Sequence, residues 1–465
     1  MARVIVVSNR VPTPSPTGAR AGGLAVALAD AIKPGDLWFG WSGEIANDTS
    51  RVARLVTAKG IDYATIDLSQ EDYQQFYVGY ANSTLWPLLH FRPAYVEFER
   101  ADFESYINVN QAFAQALLPL IRDGDLIWVH DYHLIPLATE LRALGITNRI
   151  GFFLHVPFVP ASLLETVPNA KSLLTELCAY DVVGFQTERN TGDFRDCLRR
   201  MMGFEATPGA PVEANGHAVL PIACPIGIDA REFAKQAGRS AKSHNTKRLL
   251  DSLVGRALII GVDRLDYTKG LPNRFEGFAR LLGRFPEHRG KVSYLQVAAR
   301  SREDVGEYQR LKQELDRKAG DINGRFADFD WVPLRYITQP MLRNTLAGFY
   351  QTARIGLVTP LRDGMNLVAK EFVAAQRADD PGVLILSAFA GAAEELTEAI
   401  IVNPHDADAI AEALNQALTM PLAERRQRHA ALLEKVFRTT AQAFCTRFLM
   451  ALEGEGGQQR RIGEC

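Results

Sequence analysis

Short apolar runs alternate with amphipathic stretches along almost the whole chain, and no other feature of the sequence restricts the fold as strongly. The runs consist mainly of Val, Ile, Leu and Phe, the composition of strands buried on both faces of a parallel sheet. They are Arg3–Ser8, Leu37–Trp41, Leu126–His130, Ile150–His155, Asp181–Gln186, Ala257–Asp263, Val292–Ala298, Arg354–Val358, Val383–Ser387 and Ile400–Asn403. The helical stretches between them include Tyr106–Ile121, Leu271–Phe285, Arg302–Lys318 and Asp406–Leu418. This alternation predicts an α/β protein with doubly wound parallel sheets.

The domain organisation follows from chain length and from one break in this rhythm. A chain of 465 residues is too long for one ordinary domain. Between Arg231 and Leu250 the residues are polar, basic and small, and we interpret this segment as an exposed linker. The predicted organisation is an N-terminal domain over residues 1–235, a C-terminal domain over residues 236–440, and a C-terminal helix and tail over residues 441–465.

Composition and charge exclude several classes of function. The 52 Lys and Arg residues nearly balance the 54 Asp and Glu residues, whereas a general nucleic-acid binder carries a strong basic excess. No apolar run approaches the roughly 18 residues of a membrane span, and the first residues form a strand pattern rather than a signal peptide. The five cysteines are scattered without CxxC spacing, which argues against a disulfide framework or structural zinc site. We therefore expect a cytoplasmic enzyme without nucleic-acid or membrane partners.

Ligands of open parallel sheets bind beyond the carboxyl ends of the strands, so the residues that follow each run are the candidate site residues. Arg10 lies two residues after the first run, and Gly23 belongs to a glycine pair that either approaches a phosphate or makes a simple tight turn. Asp131, within the sequence HDYH, is predicted to accept hydrogen bonds from hydroxyl groups. A metal site there would need further acidic or histidine partners, which the sequence does not supply. His155 ends the next run and is either a site residue or a satisfied core residue.

The second half of the chain carries a pair of cations in one loop. Arg264 and Lys269 follow the strand Ala257–Asp263, and two such cations repel each other unless a shared anion neutralises them. A diphosphate meets this need, because Arg offers a bidentate fork and Lys a point charge. The alternative is that one of the two pairs with Asp263 or Asp266.

The sequence TPLRDGMNLVAKE follows the strand Arg354–Val358 and leads into a predicted helix. Asp363 and Gly364 lie where the N-cap is expected, which would leave the first backbone N–H groups of the helix available to an anion. Glu371 could accept two hydrogen bonds from a diol such as a ribose. The alternative is that Asp363 is only a cap and Glu371 only a surface charge. With Arg264 and Lys269, these residues predict a nucleotide-sugar site.

Several long blocks of the sequence closely resemble the trehalose-6-phosphate synthases of glycosyltransferase family 20, retaining glucosyltransferases of the GT-B architecture. The blocks run from residue 6 to residue 376 and so cover most of the chain. They are VVSNR, AGGLA, LWFGWSGE, NSTLWPLLH, WVHDYHL, RIGFFLHVPF, DVVGFQTE, PIGID, DRLDYTKGLPNRF and VTPLRDGMNLVAKEFVAAQ. The resemblance implies two Rossmann-like domains facing across a cleft, with glucose 6-phosphate mainly on the N-terminal domain and a nucleotide-activated glucose mainly on the C-terminal one.

The resemblance also implies a role for individual residues. The acceptor would contact Arg10, Trp41, Tyr77, Trp86, Asp131 and Arg302. The donor would contact Gly23, His155, Arg264, Lys269, Asp363, the residues Gly364, Met365, Asn366 and Leu367, and Glu371. Among these, Asp131, His155, Arg264 and Lys269 are the residues implied to be catalytic. The sequence departs from the family pattern at Arg300, an additional cation, and after His155, where the usual glutamate is missing.

The expected reaction moves glucose, preferably from UDP-glucose, to glucose 6-phosphate with retention at the anomeric carbon. No cofactor is implied, and because no acidic triad or Asp-x-Asp pair is placed for a metal, we expect catalysis without one. Adenosine and guanosine donors remain alternatives to uridine. A glucosylglycerol-phosphate synthase using glycerol 3-phosphate, and a non-catalytic sugar-phosphate sensor, are the alternative functions. A homo-oligomer, dimer or tetramer, would be in keeping with the family.

Overall fold

The computed structural model describes residues 2–11, 32–47, 52–300 and 306–454. The chain forms two compact units, one made of Met1–Ile226 with Ala441–Cys465 and the other of Gly227–Thr440. Each unit contains a parallel sheet covered by helices, which confirms the predicted α/β class with doubly wound parallel sheets. The chain thus leaves the first unit after Ile226, and its last helix belongs to that unit again.

The sheet of the first unit has nine strands among the described residues. They are β1 Val4–Arg10, β2 Leu37–Ile45, β3 Arg54–Ala58, β4 Ile61–Leu68, β5 Leu126–His130, β6 Ile150–Phe153, β7 Val182–Phe185, β8 Val212–Ala214 and β9 His217–Ala223. Their order across the sheet is β3-β4-β2-β1-β5-β6-β7-β9-β8, and only the edge strands β3 and β8 pair antiparallel. The order reverses at β1, which lies between β2 and β5, so ligand-binding residues are expected at the carboxyl ends of these strands.

The second unit has a six-stranded sheet in the described residues, and all its strands are parallel. They are β10 Ala257–Arg264, β11 Val292–Ala299, β12 Leu334–Ile337, β13 Ile355–Val358, β14 Val383–Ser387 and β15 Ile400–Val402. Their order is β12-β11-β10-β13-β14-β15, so the switch of direction falls between β10 and β13. The loops that carry Lys269 and Asp363 follow these two strands.

Helices cover the sheets of both units. Among the described residues of the first unit, the α-helices are Gln70–Asp72, Trp86–Leu89, Arg100–Leu117, Leu137–Ala143, Ala161–Leu164, Ala170–Leu177, Glu188–Cys197 and Ala441–Glu453, and π-helical segments span Tyr73–Leu85 and Leu198–Met202. In the second unit they are Ala230–Ser240, His244–Leu253, Leu271–Arg284, Gly306–Phe326, Arg343–Thr352, Leu367–Ala375, Ala407–Thr419 and Leu422–Arg438. Within the described ranges, none of these helices has the length and apolar content needed to cross a membrane.

The predicted linker between Arg231 and Leu250 is wrong, because the structure forms the helices Ala230–Ser240 and His244–Leu253 there. The first helix begins where the Asp229 carboxylate accepts the N–H of Glu232, and the second begins similarly at Ser243. Phe233 and Ala237, four residues apart, are buried on one side of the first helix. The polar and basic residues that suggested a linker are the exposed faces of two amphipathic helices.

The last helix of the chain, Ala441–Glu453, packs on the sheet of the first unit through Phe448. The Phe448 ring stacks on Trp128 of β5, with ring centroids 4.8 Å apart and planes 13° apart. Two strand glycines make room for it, because a Cβ atom at Gly151 would lie 2.7 Å from the Phe448 ring and one at Gly184 would lie 2.8 Å from it. The positions of Gly151 on β6 and Gly184 on β7 must therefore be occupied by glycine for the helix to pack in this way.

We predict that Phe448→Ala destabilises the protein by about 3–5 kcal/mol, because it opens a cavity between the last helix and β5–β7. Chemical denaturation followed by circular dichroism measures this change in the free energy of unfolding. Arg447→Ala, at the exposed neighbouring position, is the control and should change it by less than about 0.5 kcal/mol. Equal effects of the two substitutions would contradict the packing role of Phe448.

Candidate active site

In the first unit, Arg10 and Trp41 lie together at the switch point of the sheet. The Arg10 guanidinium lies 5.9 Å from the centre of the Trp41 ring, a cation–π contact. Gly43, whose φ is +91°, passes directly under this guanidinium, and a Cβ atom at Gly43 would come within 2.4 Å of Arg10 Nε. The strand β2 therefore needs glycine here so that the exposed Arg10 side chain can cross it.

Tyr77 lies in an aromatic cluster that a π-helix presents to Trp41. Its ring stacks on Tyr73 at 5.5 Å and on His133 at 5.8 Å, and it lies 5.8 Å from the Trp41 ring. Tyr73 and Tyr77 both belong to the π-helix Tyr73–Leu85, a conformation that is rare and often found at functional sites. The sequence does not single out Tyr73 and indicates no role for His133 beyond a possible metal ligand, since ordinary helical spacing gives no sign of this wider turn.

Trp86 follows the π-helix directly and joins this cluster through Tyr132. The Trp86 and Tyr132 ring centroids are 5.8 Å apart, and Tyr132 lies 4.0 Å from His133, which stacks on Tyr77. Trp86 is buried, so a large part of its ring area serves packing. The structure thus brings the predicted acceptor residues Trp41, Tyr77 and Trp86 into one connected group.

Asp131 and His155 lie next to each other at the carboxyl ends of β5 and β6. Asp131 has a φ of +74°, which is uncommon for a residue other than glycine, and its carboxylate accepts the backbone N–H of His155 at 3.3 Å. The His155 ring bonds the buried His130 ring, with 3.0 Å between His130 Nδ1 and His155 Nε2. Burial lowers the pKa of His155 to about 3, so this imidazole is neutral at physiological pH.

The metal-binding alternative for HDYH finds no support in the arrangement of its side chains. His130 Nδ1 is engaged by His155, and the His133 ring stacks on Tyr77 and makes a tilted contact with Tyr132. Over the ranges that the structure describes, no group of three or more His, Cys, Asp or Glu side chains has a geometry suited to a metal ion. Metal-independent catalysis stays a prediction, which an assay must test.

In the second unit, Lys269 contacts Asp363 directly, with 2.6 Å between Lys269 Nζ and Asp363 Oδ2. These two predicted donor residues are 94 positions apart in the sequence, and the ends of β10 and β13 bring them together. Arg264 lies 3.8 Å from Asp266 and is 48% exposed, so it has a partner and still reaches solvent. Of the two pairings that the sequence left open, Asp266 is therefore the one that Arg264 adopts.

Arg274 is a residue of this site that the sequence analysis missed. Its guanidinium is completely buried and donates to Asp263 at 2.5 Å, to Gln296 at 3.0 Å and to Thr359 at 3.0 Å. It also donates to the backbone carbonyl of Lys269 at 3.2 Å. In the sequence, an arginine in an amphipathic helix resembles any solvated surface charge, and no signal distinguishes this one.

The helix expected after Asp363 begins later than predicted. It spans Leu367–Ala375, and its N-cap is Asn366, whose side chain accepts the N–H of Ala369 at 3.3 Å. The predicted N-cap at Asp363 and Gly364 is therefore wrong, since Asp363 instead accepts the side-chain amide of Asn366 at 3.0 Å. Sequence could not separate the two, because Asp and Asn are equally good caps. The first turn of the helix at Leu367 still presents N–H groups without intrahelical partners.

Glu371 is an ion-paired residue and not the surface charge of the alternative interpretation. Its side chain is only 13% exposed and accepts a hydrogen bond from Arg343 Nε at 3.0 Å, and Arg343 Nη2 forms an ion pair with it at 2.9 Å. Burial raises the pKa of the Glu371 carboxyl, and the Arg343 guanidinium counteracts that shift. Both contacts end at Oε1, so the pairing orients the carboxylate.

Two predicted site residues, Gly23 and Arg302, lie outside the described residues. Gly364 and Met365 lie inside them, on the segment between Asp363 and the helix. Met365 is buried, and its carbonyl accepts the N–H of Ala392 at 2.8 Å. This bond holds the segment against the residues that follow β14.

Comparison with known proteins places the chain in a family. The model of glycosyltransferase family 20 matches residues 4–454. A trehalose-6-phosphate synthase of Sinorhizobium fredii is 45% identical over 453 residues, which cover 97% of this chain and 98% of that protein.

Two solved structures are similarly close. An α,α-trehalose-phosphate synthase (UDP-forming) of Burkholderia xenovorans, solved with glucose-6-phosphate, superposes with a TM-score of 0.94 at 45% identity, covering 97% of this chain and 100% of that one. An Escherichia coli structure with bound UDP-2-fluoro glucose gives a TM-score of 0.92 at 44% identity, covering 97% and 99%.

Two parallel-sheet α/β units with polar side chains at their switch points define an enzyme of the GT-B glycosyltransferase class. The chain belongs to glycosyltransferase family 20.

We predict that Arg274→Met lowers the free energy of unfolding by about 3–5 kcal/mol, because it leaves the buried Asp263 carboxylate without its charged partner. The double variant Asp263→Asn with Arg274→Met should recover part of this loss, since no unpaired charge remains. Thermal unfolding of the three proteins measures the effect. A double variant no more stable than Arg274→Met would show that lost packing, and not the charge, is responsible.

Proposed function

We propose that the protein is a retaining glucosyltransferase that moves glucose from UDP-glucose to glucose 6-phosphate, giving trehalose 6-phosphate and UDP. The observation that carries this proposal is the match, over nearly the whole chain, to a UDP-forming synthase solved with glucose-6-phosphate. The match to a structure solved with UDP-2-fluoro glucose supports the same donor class. We expect the enzyme to work in the cytoplasm.

The acceptor is proposed to bind the first unit. Arg10 is the exposed cation at the end of β1, and its guanidinium is suited to a phosphate group. Trp41 and Tyr77 provide ring faces against which a sugar can lie, and the Asp131 carboxylate can accept sugar hydroxyls beside them. Arg302 and Trp86 are assigned to the acceptor phosphate by the resemblance alone.

The donor is proposed to bind the second unit. Lys269 and the half-exposed Arg264 would neutralise the diphosphate, and the first turn of the helix at Leu367 would add backbone N–H groups. Asp363 would accept glucose hydroxyls while it keeps Lys269 in place through the 2.6 Å contact. Glu371, oriented by Arg343, would accept the ribose hydroxyls.

The proposed chemistry depends mainly on stabilising the departing diphosphate. Negative charge develops on its oxygen as the bond to the anomeric carbon breaks, and fixed cations lower the energy of that state. Lys269 is held at both ends, because its ammonium contacts Asp363 and its carbonyl accepts from Arg274, so little reorganisation is needed. The departing phosphate would take the proton of the incoming hydroxyl on the same face, which gives retention.

The other two functions fit the arrangement less well. Glycerol 3-phosphate has no ring to lie on the connected aromatic group of Trp41, Tyr77 and Trp86. A sensor without turnover would not need the ordered pair of Lys269 and Asp363 beside Arg264. The oligomeric state and the choice of uridine over other bases rest on the family.

We predict that the purified protein, treated with EDTA, releases UDP from UDP-glucose when glucose 6-phosphate is added. A coupled assay of UDP release measures the rate, with glycerol 3-phosphate as the competing acceptor in a parallel reaction. Release with glycerol 3-phosphate alone would move the acceptor assignment to the alternative. Activity that returns only when a divalent cation is restored would contradict metal-independent catalysis.

We predict that Lys269→Ala and Arg264→Ala each lower kcat by roughly one to several orders of magnitude, because each removes a charge-assisted contact to the departing diphosphate. Steady-state kinetics with UDP-glucose as the varied substrate measures the loss. Lys291→Ala, which removes an exposed cation near the amino end of β11, is the control and should retain the wild-type kcat. Near wild-type turnover in both site variants would contradict the diphosphate assignment.

A further inference from the structure

His155 lies in the middle of a line of hydrogen bonds within the first unit. The backbone N–H of Ile226 donates to Gln186 Oε1 at 3.0 Å. Gln186 Nε2 lies 3.5 Å from His155 Nδ1, and His155 Nε2 lies 3.0 Å from His130 Nδ1. Gln186 is 2% exposed and His130 is completely buried, so water does not compete for these contacts. The roles proposed above for the site residues do not account for Gln186 or His130.

The direction of each bond in this line follows from its first member. A backbone N–H can only donate, so the Gln186 oxygen must face Ile226 and its amide nitrogen must face His155. The amide nitrogen also can only donate, so His155 Nδ1 must be the unprotonated nitrogen. A neutral imidazole then carries its proton on Nε2, which donates to His130 Nδ1. His130 is in turn protonated on Nε2.

The opposite direction is unfavourable. With the proton on His155 Nδ1, either two N–H donors would face each other across the contact with Gln186, or the amide would turn its nitrogen towards the N–H of Ile226. Either arrangement leaves buried donors unsatisfied. In the favoured direction the donor left over is His130 Nε2–H, which has no hydrogen-bond acceptor among the described residues. It belongs to a ring 4.5 Å from Trp128, and aromatic faces accept N–H groups weakly.

The charge state of the two rings agrees with this assignment. Burial is the largest cause that lowers the pKa of both histidines, and the neighbouring His155 ring lowers the pKa of His130 further. The Asp131 carboxylate accepts the backbone N–H of His155 at 3.3 Å. Both imidazoles are therefore neutral, and a neutral ring is what the line of bonds requires.

We propose that Gln186 and His130 are positioning residues that hold His155 as the neutral, Nε2-protonated tautomer, so that Nδ1 is an acceptor for a substrate hydroxyl. The contact between Gln186 and Nδ1 is long at 3.5 Å, so a hydroxyl can replace or share it at little cost. His155 thus orients the substrate and does not transfer a proton. The assignment of this hydroxyl to a sugar rests on the proposed function. The assignment of the tautomer does not depend on that function.

The tautomer can be measured directly by NMR of the protein labelled with ¹⁵N-histidine, without substrate. The signals of His155 are assigned by their absence in His155→Asn. We expect one ring nitrogen, Nδ1, with the shift of an unprotonated acceptor and Nε2 with that of an N–H. Protonated Nδ1, or a doubly protonated ring at neutral pH, would overturn the proposal. Because no turnover is involved, a failure of the UDP-release assay would count against the proposed function alone.

Gln186→Glu tests the positioning role. A carboxylate still accepts the N–H of Ile226, but its second oxygen is an acceptor, so the His155 proton should move to Nδ1. We expect the exchanged tautomer in the NMR spectrum and a loss of at least about tenfold in kcat/KM for UDP-glucose.

Gln376→Glu is the matched control. Gln376 is also a buried glutamine whose Oε1 accepts a backbone N–H, from Gly382 at 2.7 Å, but it lies in the second unit. It should leave the His155 spectrum unchanged. A wild-type tautomer in Gln186→Glu, or the same spectral change in Gln376→Glu, would contradict the role of Gln186, and the measurement on the wild-type protein stands even if a variant fails to fold.

Discussion

The second unit depends on one buried guanidinium. Arg274 comes from the helix Leu271–Arg284 and bonds Asp263 at the end of β10, Gln296 of β11, Thr359 after β13 and the carbonyl of Lys269. Burying a charge is costly unless its hydrogen bonds are complete, and here neighbouring strands supply the acceptors. These bonds consequently fix the relative positions of the switch point of the sheet, the helix beside it and the cationic loop. The contact between Lys269 and Asp363 follows from that geometry.

In the first unit the candidate site residues are held in place mainly by aromatic contacts and not by a buried charge. Among the aromatic rings of this unit, Tyr77 of the π-helix contacts Trp41 and His133. The unit also contains the neutral pair of His130 and His155. Aromatic rings lose little conformational entropy when they are fixed, and neutral imidazoles avoid the cost of a buried ion. A surface of this kind suits an uncharged sugar ring, whereas the cations of the second unit suit a diphosphate.

The sequence predicted the apolar central strands and the edge strand β15, but it did not predict β3, β4, β8, β9 or β12, for a physical reason. A strand buried on both faces is a continuous apolar run, as in β5, β10 and β14, and such runs were recognised. The edge strands β3 and β12 mix polar and apolar residues because one or both faces meet solvent, so they carry no comparable signal. The helices Ala230–Ser240 and His244–Leu253 were mistaken for a linker for a similar reason. Few of their residues are buried, so their sequences show little apolar periodicity.

In the candidate site, the residues involved were easier to predict from the sequence than the contacts that their side chains make with one another. Cations after β10 and the acidic residue after β13 were visible because they follow buried strands. That Lys269 meets Asp363, or that Arg274 lies beneath both loops, depends on tertiary packing between distant segments, which spacing along the chain does not encode. The direction of hydrogen bonds at His155 likewise needed the position of the Ile226 N–H.

The return of the last helix to the first unit has a consequence for synthesis on the ribosome. The whole of the second unit, Gly227–Thr440, leaves the ribosome before Ala441–Glu453 does. Until then, the helix does not cover the surface of β6 and β7 where Phe448 packs against Gly151 and Gly184. The first unit, although its synthesis begins first, therefore completes its core last. The nascent protein therefore carries an uncovered apolar sheet face through most of its translation, and early termination before residue 441 would leave that face permanently exposed to chaperones and proteases.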